Sequence, residues 1–309
     1  MAVILTLISA ALSLAPSGVE RQRPRWLIDK YKTNRGGITF THLVVHHNSQ
    51  TKQTRQMGVR DVWMRFHGSG PLDTAKSRAM LKQSVHWIHE CGQPGTVYAF
   101  VTTESTAYDG SFHSLCGDSL SAQQFHALGD WSYAQTGGEA VERHLTHLRE
   151  YGYRPNTSRL TVVGYSDGGW LASMCALRGV AQSAVAWAGW SFDGFDAWSS
   201  FLPRDLRGMR LSLYVSAGDT FYNGSSGWYP PPERHGSMRH GVDAIAAHFA
   251  LEPRPEESVQ IAGEHFERIV FANAANDNEL RLHIDTDRSH AHEWLRGSGV
   301  LRATAQVEA

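Results

Sequence analysis

The chain has 309 residues, with 29 Lys and Arg against 30 Asp and Glu, a formal net charge of −1 and 41% hydrophobic residues. That near-neutral balance argues against nucleic acid or an anionic membrane surface as a partner, while the apolar fraction suffices for a sizeable core. Three cysteines make no disulfide framework, and the 17 histidines fall in no H-E-x-x-H or Cys/His zinc spacing.

Met1 to Ala15 is almost wholly apolar, and Ala15-Pro16-Ser17-Gly18 resembles the end of a signal peptide. Residues 1–18 are therefore read as a signal peptide or a hydrophobic N-terminal segment, although no Lys or Arg precedes the run. A secreted or periplasmic location is favoured over a cytoplasmic one. The run is too short to span a bilayer, so no membrane span is expected. Residues 19–309 are expected to form one domain.

Residues 19 to 36 are basic and polar and read as a linker or an edge hairpin. Ile38 to Val45 is a strand, closed by His46-His47-Asn48 in a turn or capping role. Asp61 to Phe66 is the next, with Val62, Met64 and Phe66 alternating with Trp63 and Arg65. It runs into His67-Gly68-Ser69-Gly70. After Asp73-Thr74 a helix carries Leu81, Val85 and Ile88 on one face and stops near Gly92. Val97 to Val101 is a strand, and Thr102 to Gly137 a long irregular stretch expected to form one substrate wall. Cys91 and Cys116, in glycine-flanked sequence, pair or stay free. Cys175 is a small buried apolar residue. Glu139 to Tyr151 is an amphipathic helix.

The next stretch, Leu160 to Val163, is a short β-branched run ending in Gly164-Tyr165-Ser166-Asp167-Gly168, and an apolar helix from Trp170 to Arg178 follows at once. Gly-x-Ser-x-Gly between strand and helix is the setting of a nucleophile elbow. The turn projects a serine hydroxyl clear of the sheet. Gly164 and Gly168 let strand and helix approach without a Cβ clash, and the helix N-terminus favours an oxyanion.

Ala184 to Ala188 and Leu211 to Val215 are further buried strands, and the second ends in Ser216-Ala217-Gly218-Asp219. A loop over 222–236 precedes a helix from Arg239 to Leu251. Phe266 to Phe271 and Glu279 to Ile284 are the last strands, split by Asn273 to Asn278. His290 and His292 stand beyond the final one. Strands alternating with helices predict an α/β fold, doubly wound, with a mostly parallel sheet and helices on both faces.

A serine needs a base to take its proton and the base needs an orienting acid, supplied in the order Ser, acid, His after successive strands. Asp219 fits the acid. Asp285, Asp287, Asp193 and Asp196 compete with it less well. His292 is favoured as base and His290 is the alternative. Ser69, with Gly68 second, is the candidate for one oxyanion donor and Asp167 for the other. Trp131, Trp190, Trp228 and Tyr229 are candidates for lining a flat acyl pocket.

The Gly-Tyr-Ser-Asp-Gly-Gly elbow, the His67-Gly68 step and the His292-Glu293-Trp294 end resemble the α/β-hydrolase superfamily. They are most similar to its polyhydroxybutyrate-depolymerase and feruloyl-esterase-like branch. That branch usually has Asn where Asp167 stands. The resemblance implies hydrolysis of a small-molecule or polymeric carboxylic ester through an acyl-enzyme, with no metal or organic cofactor. Ser166 would be the nucleophile, His292 the base and Asp219 its partner, and the backbone N–H groups of Asp167 and Ser69 would form the oxyanion hole. Two other readings stand beside it: a serine peptidase of the prolyl-oligopeptidase type, and a catalytically silent hydrolase fold used for binding.

Overall fold

The computed structural model of the protein describes residues 26–35, 38–47, 59–66, most of 82–103, most of 145–150, and 152–165, 167–188, 199, 202–216, 237–261 and 263–285. Its strands are β1 (Trp26–Arg35), β2 (Ile38–His47), β3 (Val59–Phe66), β4 (Thr96–Thr103), β5 (Arg154–Tyr165), β6 (Ser183–Trp187), β7 (Arg210–Ser216), β8 (Glu252–Pro253), β9 (Glu257–Ile261), β10 (Glu264–Asn273) and β11 (Asn278–Asp285). Helix α1 spans Asp167–Leu177 and α2 spans Ser237–His248, and residues 84–89 and 145–150 add helical turns.

All the described strands join one sheet in the order β1-β2-β4-β3-β5-β6-β7-β11-β10-β8, with β9 on β10. The centre from β4 to β11 is parallel, as the continuous apolar runs predict. The flanks are antiparallel. β1 and β2 form an edge hairpin whose last register pair is Arg35 with Ile38, and β10 and β11 form another closed by Asn273 with Asn278.

Alternation along each strand feeds two cores. On one face Val62, Met64, Phe66, Leu160, Val162, Leu211 and Leu213 pack against α1, α2 and the 145–150 turn. On the other, Trp63, Tyr98, Phe100, Val163, Val185, Trp187 and Tyr214 pack with Trp87 and Ile88 of the 84–89 turn. Helices thus cover both faces. Cys175 is buried in α1. No helix among the described residues is long and apolar enough to cross a membrane.

His46 and His47 close no turn. Both belong to β2, and His46 is fully buried with Nε2 3.1 Å from Asp29 Oδ2. Tyr153 Oη donates to the same oxygen at 3.0 Å. This carboxylate pins the edge hairpin to the chain entering β5. Strands β8 and β9 occupy 252–261, where the sequence announces no element.

Candidate active site

Because β3, β5, β6, β7 and β11 run parallel, their carboxyl ends lie along one rim of the sheet. Ligands of open α/β sheets bind outside that rim. Each candidate follows one of these ends in the chain: Ser69 three residues after Phe66, Ser166 one after Tyr165, Asp219 three after Ser216, and His290 and His292 five and seven after Asp285. β7 and β11 are direct neighbours, so the segments carrying the candidate acid and base leave from adjacent strands. Ser69, Ser166, Asp219, His290 and His292 themselves lie outside the described residues, as do Gly68, Asp193, Asp196 and Asp287. So do Trp131, Trp190, Trp228 and Tyr229, Cys91 and Cys116, Met1 to Ala15, the 222–236 loop and the stretch from 104 to 144.

The elbow is built by its flanks. β5 ends at Tyr165 and α1 starts at Asp167, leaving Ser166 alone between strand and helix. A Cβ on Gly164 would stand 1.9 Å from Gly168 O, 2.1 Å from its C and 2.6 Å from Gly169 N. Strand and helix therefore approach as closely as backbone can, and only glycine fits there. Ser173 Oγ donates to Gly169 O at 3.0 Å and satisfies a carbonyl of the first turn. Apart from Asp167 and Ser173 the helix is apolar, as a buried element must be. Asp167 is its first residue, so a backbone N–H of its opening turn belongs to the group expected to serve an oxyanion.

Beneath the rim, the tryptophan-lined face carries polar groups. Arg65 of β3 is only 4% exposed. Its Nη1 donates to Ser84 Oγ at 2.6 Å, and its guanidinium carbon lies 6.0 Å from the Trp187 ring centroid. Desolvation lowers its pKa to about 10, which leaves it ionised at neutral pH. Ala188, directly after Trp187, adopts φ 47° and is held there by its N–H on Tyr214 O at 3.0 Å. A non-glycine residue in that region costs about 1 kcal/mol or more.

On β7 and β11, Tyr214 and His283 are register partners whose rings stack at 4.3 Å and 7°. Burial, reinforced by the Arg268 and Arg281 cations, pulls His283 down to about 3, so its imidazole is neutral. Burial pushes the Tyr214 phenol up. One step nearer the rim, Asp285 pairs in register with Ser216, and both are buried. Asp285, the weaker acid candidate, is thus the last residue of β11. Sequence reasoning missed Arg65, His283 and Ser216. The only available signal was a charged or polar residue at an alternating position in a strand covered on both faces.

No protein-family model and no curated protein matches the sequence. Solved structures do match in shape. The feruloyl esterase module from Clostridium thermocellum aligns with a TM-score of 0.51 at 11% identity, over 94% of this chain and 91% of its own. A Bacteroides ovatus protein described as a dipeptidyl aminopeptidase IV aligns at 0.51 and 12% identity over 91% of this chain. This chain spans 36% of that longer protein. A cold-adapted esterase from an Arctic intertidal metagenomic library gives 0.47 at 10% identity, over 95% and 99% of the two chains. At such identities the likeness is one of fold, and the strand order agrees with it: the chain has the α/β-hydrolase fold.

Proposed function

We propose that the chain is a serine hydrolase that cleaves carboxylic esters through an acyl-enzyme. The observation that carries this reading is the junction at Ser166: one residue between a central strand and a buried helix, with Gly164 packed on the Gly168 backbone. That is the local architecture a nucleophile elbow needs.

In this reading His292, or His290, takes the Ser166 proton as Oγ attacks the ester carbonyl carbon, and Asp219 orients the imidazole. The carbonyl oxygen becomes an oxyanion held by the backbone N–H groups of Asp167 and Ser69. Collapse expels the alcohol, protonated by the imidazolium. A water, deprotonated by the same histidine, then releases the acid. The whole-length fit of the feruloyl esterase module supports an ester substrate, small or polymeric. The peptidase neighbour has most of its chain outside the match.

The test is intact mass after incubation with a fluorophosphonate. One adduct is expected on the wild type and none on Ser166→Ala. Of His292→Ala and His290→Ala, one should label slowly, and that one carries the base. Absence of an adduct on folded wild-type protein overturns the reading and favours a silent binding fold.

A further inference from the structure

Among the described residues, no carboxylate answers the charge of Arg65. Its guanidinium offers five N–H donors. Among the described residues one is taken by Ser84 Oγ, Nε has no acceptor, and the guanidinium carbon lies 6.0 Å from the Trp187 ring centroid. Arg281 and Arg268, cations of β11 and β10, have Glu279 and Glu257 as partners, and Asp61 is with Arg159. The buried carboxylate on the same face, Asp285, sits four strand spacings away, roughly 19 Å, too far to compensate. An ionised buried guanidinium without a counter-charge is unfavourable, and a planar fork of donors fits a carboxylate better than any other common anion but phosphate. Arg65 also stands near the rim: it is next to last in β3 and in register with Val163, three residues before Ser166.

We propose that Arg65 anchors a carboxylate carried by the substrate, so that the preferred esters bear a free acid on one of their two parts. This rests on the esterase reading and narrows it. A neutral ester brings the guanidinium no counter-charge, whereas an anionic one gains charge-assisted hydrogen bonds in a desolvated place.

The test compares mono-4-nitrophenyl succinate with 4-nitrophenyl butyrate, near-isosteres that differ in the terminal carboxylate. The ratio of their kcat/KM values should fall about 10- to 100-fold in Arg65→Gln. Arg65→Lys, which keeps the charge but not the fork, should recover part of it. An unchanged ratio in both folded variants overturns the proposal. A melting experiment with free succinate is independent of turnover: the wild-type Tm should rise with succinate and the rise should shrink in Arg65→Lys, even if Arg65→Gln does not fold. No rise in the wild type counts against the proposal. Hydrolysis of neither ester by folded wild type sinks the esterase reading instead, and the melting result then decides Arg65 alone.

Discussion

At the scale of single residues, the elbow depends on one missing methyl. The atoms a Gly164 side chain would strike, Gly168 O and C and Gly169 N, are all backbone, and the nearest is at 1.9 Å. No rotamer change relieves such a clash. The strand cannot retreat, because β5 is bonded on both sides, to β3 and β6. Gly164→Ala should therefore lower stability by about 3 kcal/mol or more, or prevent folding, as overpacking of a rigid site does. Gly95→Ala is the control, since nothing lies within 4 Å of the added Cβ there. Its change should stay within about 0.5 kcal/mol. Urea denaturation of both variants measures this, and a Gly164→Ala curve coincident with wild type would mean that strand and helix do not meet as described.

Between elements, the stack of His283 on Tyr214 joins β11 to β7 just below the ends that carry the candidate base and acid. It also makes stability depend on pH. The folded imidazole titrates at about 3 and an unfolded one near 6.5, so between these values the unfolded chain holds a proton that the folded one does not. Stability is full above pH 6.5 and is lost as pH falls toward 3, with a slope of at most about 1.4 kcal/mol per pH unit from this residue. His248 is shifted in the same direction by burial and Arg204, so the difference between variants is what isolates His283. His283→Phe keeps a ring on Tyr214 and removes the titration. Its stability, from urea midpoints between pH 4 and 7, should fall less steeply than that of the wild type. Parallel curves would show that His283 is not held neutral by the fold.

The same element scale explains what the sequence made legible. Leu160 to Val163, Ala184 to Ala188 and Leu211 to Val215 are mostly apolar runs because both faces of a parallel centre are covered. Their order and the glycines around Ser166 were readable for that reason. The extension of β5 back to Arg154 was not, since Pro155, Asn156, Thr157 and Ser158 carry no apolar signal. It comes from pairing with Val59 and Arg60 across a bulge. β9 was hidden because Glu257–Ile261 is short and mostly exposed: among the described residues it pairs with β10, and Val259 and Ile261 alone of its side chains turn to the tryptophan core. The burial of Arg65 was not legible, because alternation alone does not say whether the second face of a strand meets solvent or another layer. His290 and His292 both follow the end of β11 by a few residues, and two histidines so close in sequence offer no pattern to separate them.

For the whole molecule, the sheet is a partition shared by two cores. Val62 and Met64 face one core while Trp63 faces the other, and β5 does the same with Val162 and Val163. No central strand belongs to one side alone, so neither core can dissolve while the other stands. The edge hairpin is joined to this unit through Asp29, which accepts from Tyr153 beside β5 and faces His46 of β2. Unfolding should accordingly be a single transition. Among the described residues Trp26, Trp63, Trp87 and Trp187 are buried in one core, so the near-UV circular dichroism they contribute reports that side. Far-UV circular dichroism includes α1 and α2 on the other. In urea at neutral pH the two midpoints should coincide. A separation, with far-UV signal persisting after the near-UV signal is lost, would mean that the tryptophan face opens as its own cooperative unit and that Arg65 is reached by opening that face rather than from the rim.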